Sequence, residues 1–153
     1  MELEIDILYV NIMRFLSEIN IPIKYRTAFY PQNQNKDESY KVIDAMVGVY
    51  NNYGFTIGII YIDIEFKNLM DKMKYELDIK LNYTNADDHV SEAEQKKHTI
   101  KGRVWLVYHR LPSNNIPNVM MRELILEKII KMNYFSEKGG VSEYYSTQTI
   151  MHK

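Results

Sequence analysis

The sequence predicts an α+β domain: a mainly antiparallel, twisted sheet of about five strands, with an N-terminal and a C-terminal helix packed on one face. Three observations lead there. Apolar residues recur three and four apart near each end of the chain, and Ile-, Val- and Tyr-rich runs with a period of two fill the middle. The third is length, because 153 residues with 46% hydrophobic side chains bury roughly two-thirds of the unfolded surface and need no covalent staple. No repeat, linker or break in composition divides residues 1–153, which read as one domain.

The first helix is expected between Leu3 and Ile19, where Ile5, Leu8, Ile12, Phe15, Leu16 and Ile19 fall on one stripe. Asn20 and Pro22 stop it, Ile21 to Tyr25 alternates as a short strand, and Pro31 to Glu38 is a polar loop. Tyr40 to Tyr50 and Phe55 to Phe66 then read as a long hairpin turning at Asn51-Asn52-Tyr53-Gly54. One face of it is wholly apolar. The other mixes Tyr50, Tyr61, Asp44, Asp63 and Glu65 and is expected to be half-covered or to meet a partner.

Lys67 to Lys74 suits two helical turns, and Tyr75 to Tyr83 alternates strictly as a half-buried strand. After the polar stretch Asn85 to Lys97, in which Ser91 and Glu94 are spaced as a capping box, Thr99 to Arg110 reads as a second alternating strand. The closing helix is expected over Asn118 to Met132, capped by Asn115 or Asn118, with Met121, Leu124, Ile125, Ile129 and Met132 inward. Val141 to Ile150 is left as an edge strand or a docking tail.

Composition removes several functions. Without Cys there is no disulfide framework, Cys-ligated zinc, iron–sulfur cluster or thiol catalysis. With 19 basic against 20 acidic residues the net charge is −1, so electrostatic capture of nucleic acid is not the favoured task, although a local basic patch leaves it open. No apolar run approaches the roughly 18 residues that span a bilayer, and the acidic start MELEIDILYV is unlike a secretory signal. The expected location is therefore a virion or the cytoplasm of a host cell.

The sharpest chemical pattern is acidic. In the expected hairpin Asp63 and Glu65 share a face, Asp44 lies diagonally opposite, and Lys67 follows two residues on. Three such carboxylates can converge on a divalent cation. Helix, strand, Asp on one strand and Glu-x-Lys on the next resembles the PD-(D/E)xK nucleases, although Ile43 rather than proline precedes Asp44. The resemblance implies magnesium on Asp44, Asp63 and Glu65, with Asp44, Glu65 and Lys67 as the catalytic group. Asp63 with Asp78 and Lys80 fits the same loose pattern. The plainer reading, and the favoured one, is a solvated hairpin face with no metal or other cofactor. His89 with Glu92 is a metal pair by type alone, and His98, His109 and His152 complete no ligand set. No phosphate-binding glycine loop or nucleophile elbow is present.

Binding is the stronger expectation. Lys96, Lys97, Lys101 and Arg103 form a basic stripe near Trp105 and Tyr108, a combination suited to single-stranded nucleic acid or to pairing with the acids from Asp87 to Glu94. Trp105, with Tyr50, Tyr61, Lys101 and Arg103, is the expected partner-binding set. The order of N-terminal helix, Tyr30-Pro31 loop, long hairpin and second hairpin resembles small phage tail-terminator and head–tail joining proteins. That resemblance implies a non-enzymatic ring subunit, homo-oligomeric and bound to neighbouring virion proteins. The strands at 75–83 and 99–110 with the following helix also resemble the SecB-like chaperone layout, which implies a host-factor-binding role.

Overall fold

Residues 2–20 form a hairpin, not the helix their spacing suggests. In the computed structural model, which describes residues 1–33, 35–84, 91–112 and 116–153, β1 (Glu2–Val10) and β2 (Met13–Asn20) pair antiparallel from Leu3↔Asn20 to Val10↔Met13. Asn11, at φ 53°, makes the tight turn, a conformation Asn tolerates better than most residues. The misleading signal has a physical cause: Leu3, Ile5 and Leu16 lie in the core on one side of the sheet, and Leu8, Val10, Met13 and Phe15 in the core on the other. A strand covered on both faces loses its alternation, and the remaining run of apolar residues satisfies a helical template by accident.

Ile21 to Tyr25 is a turn instead of a strand. Asn20 closes it by accepting a 2.9 Å bond from the Ile23 amide, and β3 (Arg26–Phe29) follows, antiparallel to β2. The first half of the expected long hairpin is helix α1 (Lys36–Asn52), started by Asn35, whose side chain accepts from the Glu38 amide. Its Tyr40, Ile43, Val47 and Tyr50 are buried at spacings of three and four, so packing overrides the strand preference of Val, Ile and Tyr. The turn residues do turn the chain, with Gly54 at φ 79°, but they end a helix.

From there the second half yields β4 (Ile59–Asp63), a 3₁₀ turn at Ile64–Leu69 and α2 (Met70–Leu77). Asp78, left-handed at φ 55°, ends α2 and opens the way to β5 (Lys80–Thr84), so only the end of the strand expected over 75–83 is strand. Thr99 to Arg110 belongs mainly to a helix, α3 (Ser91–Tyr108), held by buried Ile100 and Val104 one turn apart. Helix α4 (Asn118–Met132) has the expected bounds and buries Met121, Ile125, Ile129 and Met132; Pro117, not Asn118, occupies its cap position. The last element is a short helix, α5 (Thr147–Met151), not an edge strand. Asn115, residues 85–90 and the Ser91 and Glu94 side chains of the expected capping box lie outside the described residues.

The α+β class and five strands hold, but the sheet is mixed: in the order β3-β2-β1-β4-β5, β1 is parallel to β4 and β4 to β5. Helices cover both faces, not one. Side chains of α1, α2 and α5 share a core with Leu3, Ile5 and Leu16, and those of α3 and α4 share another with Leu8 and Phe15.

A buried asparagine protects the β3 edge. The Asn133 amide accepts from the Arg26 amide at 2.9 Å and donates to the Arg26 carbonyl at 2.7 Å, as a neighbouring strand would. The Asn133 backbone carbonyl also accepts from the Thr147 hydroxyl at 3.1 Å, joining α4, β3 and α5. Asn133→Ala leaves both Arg26 backbone groups without these partners and is expected to cost about 3 kcal/mol, read from urea unfolding; a loss below about 1 kcal/mol would show that water replaces the amide.

Candidate functional site

Two acids stand level with each other on neighbouring strands where β1 and β4 part. The β1–β4 register runs Glu2↔Ile59, Leu3↔Ile60 and Glu4↔Tyr61, and two further residues along each strand are Asp6 and Asp63. β4 ends at Asp63 while β1 runs on beside β2. Ligands of open sheets of this kind bind beyond the carboxyl ends of strands, at the point where neighbouring connections diverge.

Asp6 is half-buried and closely held. Its Oδ1 accepts from the Ile7 amide at 2.6 Å, its carbonyl accepts from the Ser17 hydroxyl at 3.2 Å, and its Oδ2 lies 2.5 Å from Lys97 Nζ of α3. Asp63 is exposed, with Oδ1 accepting from the Glu65 amide at 3.3 Å. The residues suit a divalent cation. Asp6 already holds a positive group on the oxygen it turns away from its own backbone, and magnesium is commonly bound by one or two carboxylates, with water and substrate phosphate filling its octahedron. No three-residue group of His, Cys, Asp or Glu gathers for a metal among the described residues. Helix α3 carries Glu92 and Glu94 in its first turns, where their side chains, like the His89 of the expected His89–Glu92 pair, lie outside the described set.

The acidic set expected from the sequence is dispersed. Asp44 is exposed on α1, because its segment is a helix and the cross-strand diagonal to Asp63 does not exist. Glu65 and Lys67 sit in the 3₁₀ turn after β4, both exposed; Glu65 pairs with Arg14 Nη2 of β2 at 2.7 Å. Asp63 alone keeps its place at a site. Asp78 ends α2 and Lys80 opens β5, one strand over.

Of the expected partner-binding residues, Tyr50 is wholly buried, its ring set edge-on to Tyr25 with centroids 6.1 Å apart; it belongs to the core. Tyr61 is half-buried on β4. Lys101, Arg103 and Trp105 lie on α3, half-buried, exposed and 42% exposed. Trp105 stacks on His109, with ring centroids 5.4 Å apart and planes 22° from parallel. Asp6 and Lys97 as a functional pair escaped the sequence reading. The signal was an acid inside an apolar run, which stands out only once Asn11-Ile12 is read as a turn and both faces of β1 as covered.

The fold is similar to that of viral integrase catalytic core structures. A chain of a simian T-cell lymphotropic virus intasome, solved in complex with a PP2A regulatory subunit, superposes with a TM-score of 0.71 at 12% identity over 99% of this chain; the chain spans 54% of that longer one. The catalytic core domain of BIV integrase gives 0.65 at 12% identity, covering 98% of this chain and 92% of that one. No protein-family model and no curated protein matches the sequence. The helix-then-hairpin order that resembles phage neck proteins is not the order observed, and the strand at 99–110 on which the SecB-like layout depends is a helix. No helix among the described residues is long and apolar enough to cross a membrane.

Proposed function

We propose that the chain is a metal-dependent enzyme of nucleic-acid phosphodiester chemistry, a nuclease-type activity centred on Asp6 and Asp63. The observation that carries this reading is the β1–β4 register, which, continued two residues beyond Glu4↔Tyr61, sets Asp6 level with Asp63 at the parting of the strands. A divalent cation bound there supplies charge neutralisation at a phosphoryl oxygen and a more acidic attacking water. The chain's own part is positional: the Ile7 amide orients Asp6, the Ser17 hydroxyl holds β1 in place, and the Glu65 amide orients Asp63.

Substrate binding has a second support. Residues 96–110 contain five Lys or Arg and no Asp or Glu, so α3 and the turn after it offer a cationic flank to a polyanion despite the net charge of −1. The similar fold of the BIV integrase core, itself a catalytic domain, supports the enzymatic reading.

The test is cleavage of labelled single- and double-stranded DNA and RNA with magnesium or manganese. The expected result is cleavage that EDTA abolishes. No cleavage with either metal, together with a stable ring-sized oligomer by native mass measurement, would return the chain to the virion-assembly role that its surfaces suggested.

A further inference from the structure

We propose that Lys97 is a displaceable counter-ion of the acidic centre: its ammonium holds Asp6 Oδ2 until a divalent cation binds, and so sets the metal affinity of the site. The inference rests on Asp6 and Asp63 being the metal-holding pair. Its basis is competition for one oxygen. Oδ1 of Asp6 is turned to the Ile7 amide at 2.6 Å, and Oδ2, the oxygen left for a cation, is the one that Lys97 takes at 2.5 Å.

The pair is built to open. Its side chains are 27% and 28% exposed, so solvent reaches both, and separating them carries a far smaller desolvation penalty than separating a fully buried pair. Ile100 and Val104 anchor α3 in the core, which leaves the four-carbon lysine stem as the part that moves. A small cavity lies beside it, lined by Glu4, Ser17 and Arg26 as well as Asp6. A lysine left in place would put a positive charge against the incoming dication, so the two exclude each other.

Calorimetric titration of the full chain with manganese tests this, using wild type, Lys97→Met, Lys97→Arg and Asp6→Asn. Lys97→Met is expected to bind manganese about tenfold more tightly than wild type, Lys97→Arg to behave like wild type, and Asp6→Asn to lose binding. In EDTA Lys97→Met is expected to melt below wild type, because Asp6 loses its counter-ion, and manganese is expected to raise its melting temperature more than that of wild type. If Lys97→Met fails to fold, Lys97→Gln takes its place. Equal manganese affinity with and without the lysine would overturn the counter-ion role and leave the metal centre standing. Absence of binding in every variant, or full binding in Asp6→Asn, would overturn the metal centre itself.

Discussion

Asp6→Asn and Asp63→Asn are each expected to lower metal-dependent cleavage about a thousandfold, the loss that corresponds to about 4 kcal/mol of transition-state stabilisation. Asn keeps the size of the side chain and one oxygen, so the change removes charge and little else. The two variants should differ in stability. Asp63 is exposed, and its substitution should leave unfolding unchanged, whereas Asp6→Asn also breaks the Lys97 ion pair and should lower the melting temperature modestly. Asp44→Asn is the control: on the exposed side of α1 it should cleave at the wild-type rate. Loss of activity in Asp44→Asn with retention in Asp6→Asn would reverse the assignment and restore the Asp44, Glu65 and Lys67 set.

Glu18→Gln is expected to stabilise the protein at pH 8 by about 3 kcal/mol and to make little difference near pH 4. Glu18 points from β2 into the core, and burial pushes its carboxyl from 4.5 up to about 7, with hydrogen bonds from Thr27 and Tyr50 pulling it partly back. The Thr27 hydroxyl donates at 2.6 Å. Because the folded value is the higher one, the folded state holds the proton longer. Below about 4.5 the group is neutral folded or unfolded, so it exerts no pH-dependent penalty. Between that value and about 7 the unfolded chain ionises first and stability falls, and above about 7 the full penalty is present. Gln retains the acceptor for Thr27 and cannot ionise, so urea unfolding from pH 4 to 8 should lose this slope. An unchanged slope would place the pH dependence in another group.

The two predictions depend on features that differed in legibility. Asp63 is visible in the sequence as a metal-binding candidate because Glu65 follows two residues on at the end of an Ile-rich run. Asp6 was not, because β1 is covered by α1 on one side and α3 on the other, and an acid within a run apolar on both faces matches a helix as readily as a strand. Glu18 was hidden for the same reason. Trp105 and Arg103 are exposed, as their alternation with polar residues predicts, though on a helix; Tyr50, expected on a partner-facing surface, lies in the core, because α1 turns it inward with Ile43 and Val47.

The sequence by itself determined the α+β class, the helix at Asn118–Met132 with its inward residues, and the chain breaks at Asn20, Asn51 to Gly54 and Pro117. Those depend on local chemistry: turn residues, caps and a helix with one wet face. Only the tertiary structure decided that residues 36–52 are helical, that β1 lies parallel to β4 in a register that aligns Asp6 with Asp63, and that Asp6 pairs with Lys97. Parallel pairing joins residues more than fifty apart through a crossover and leaves no mark on the spacing of neighbours. The acidic centre is therefore a product of register, assembled from side chains that share no local motif.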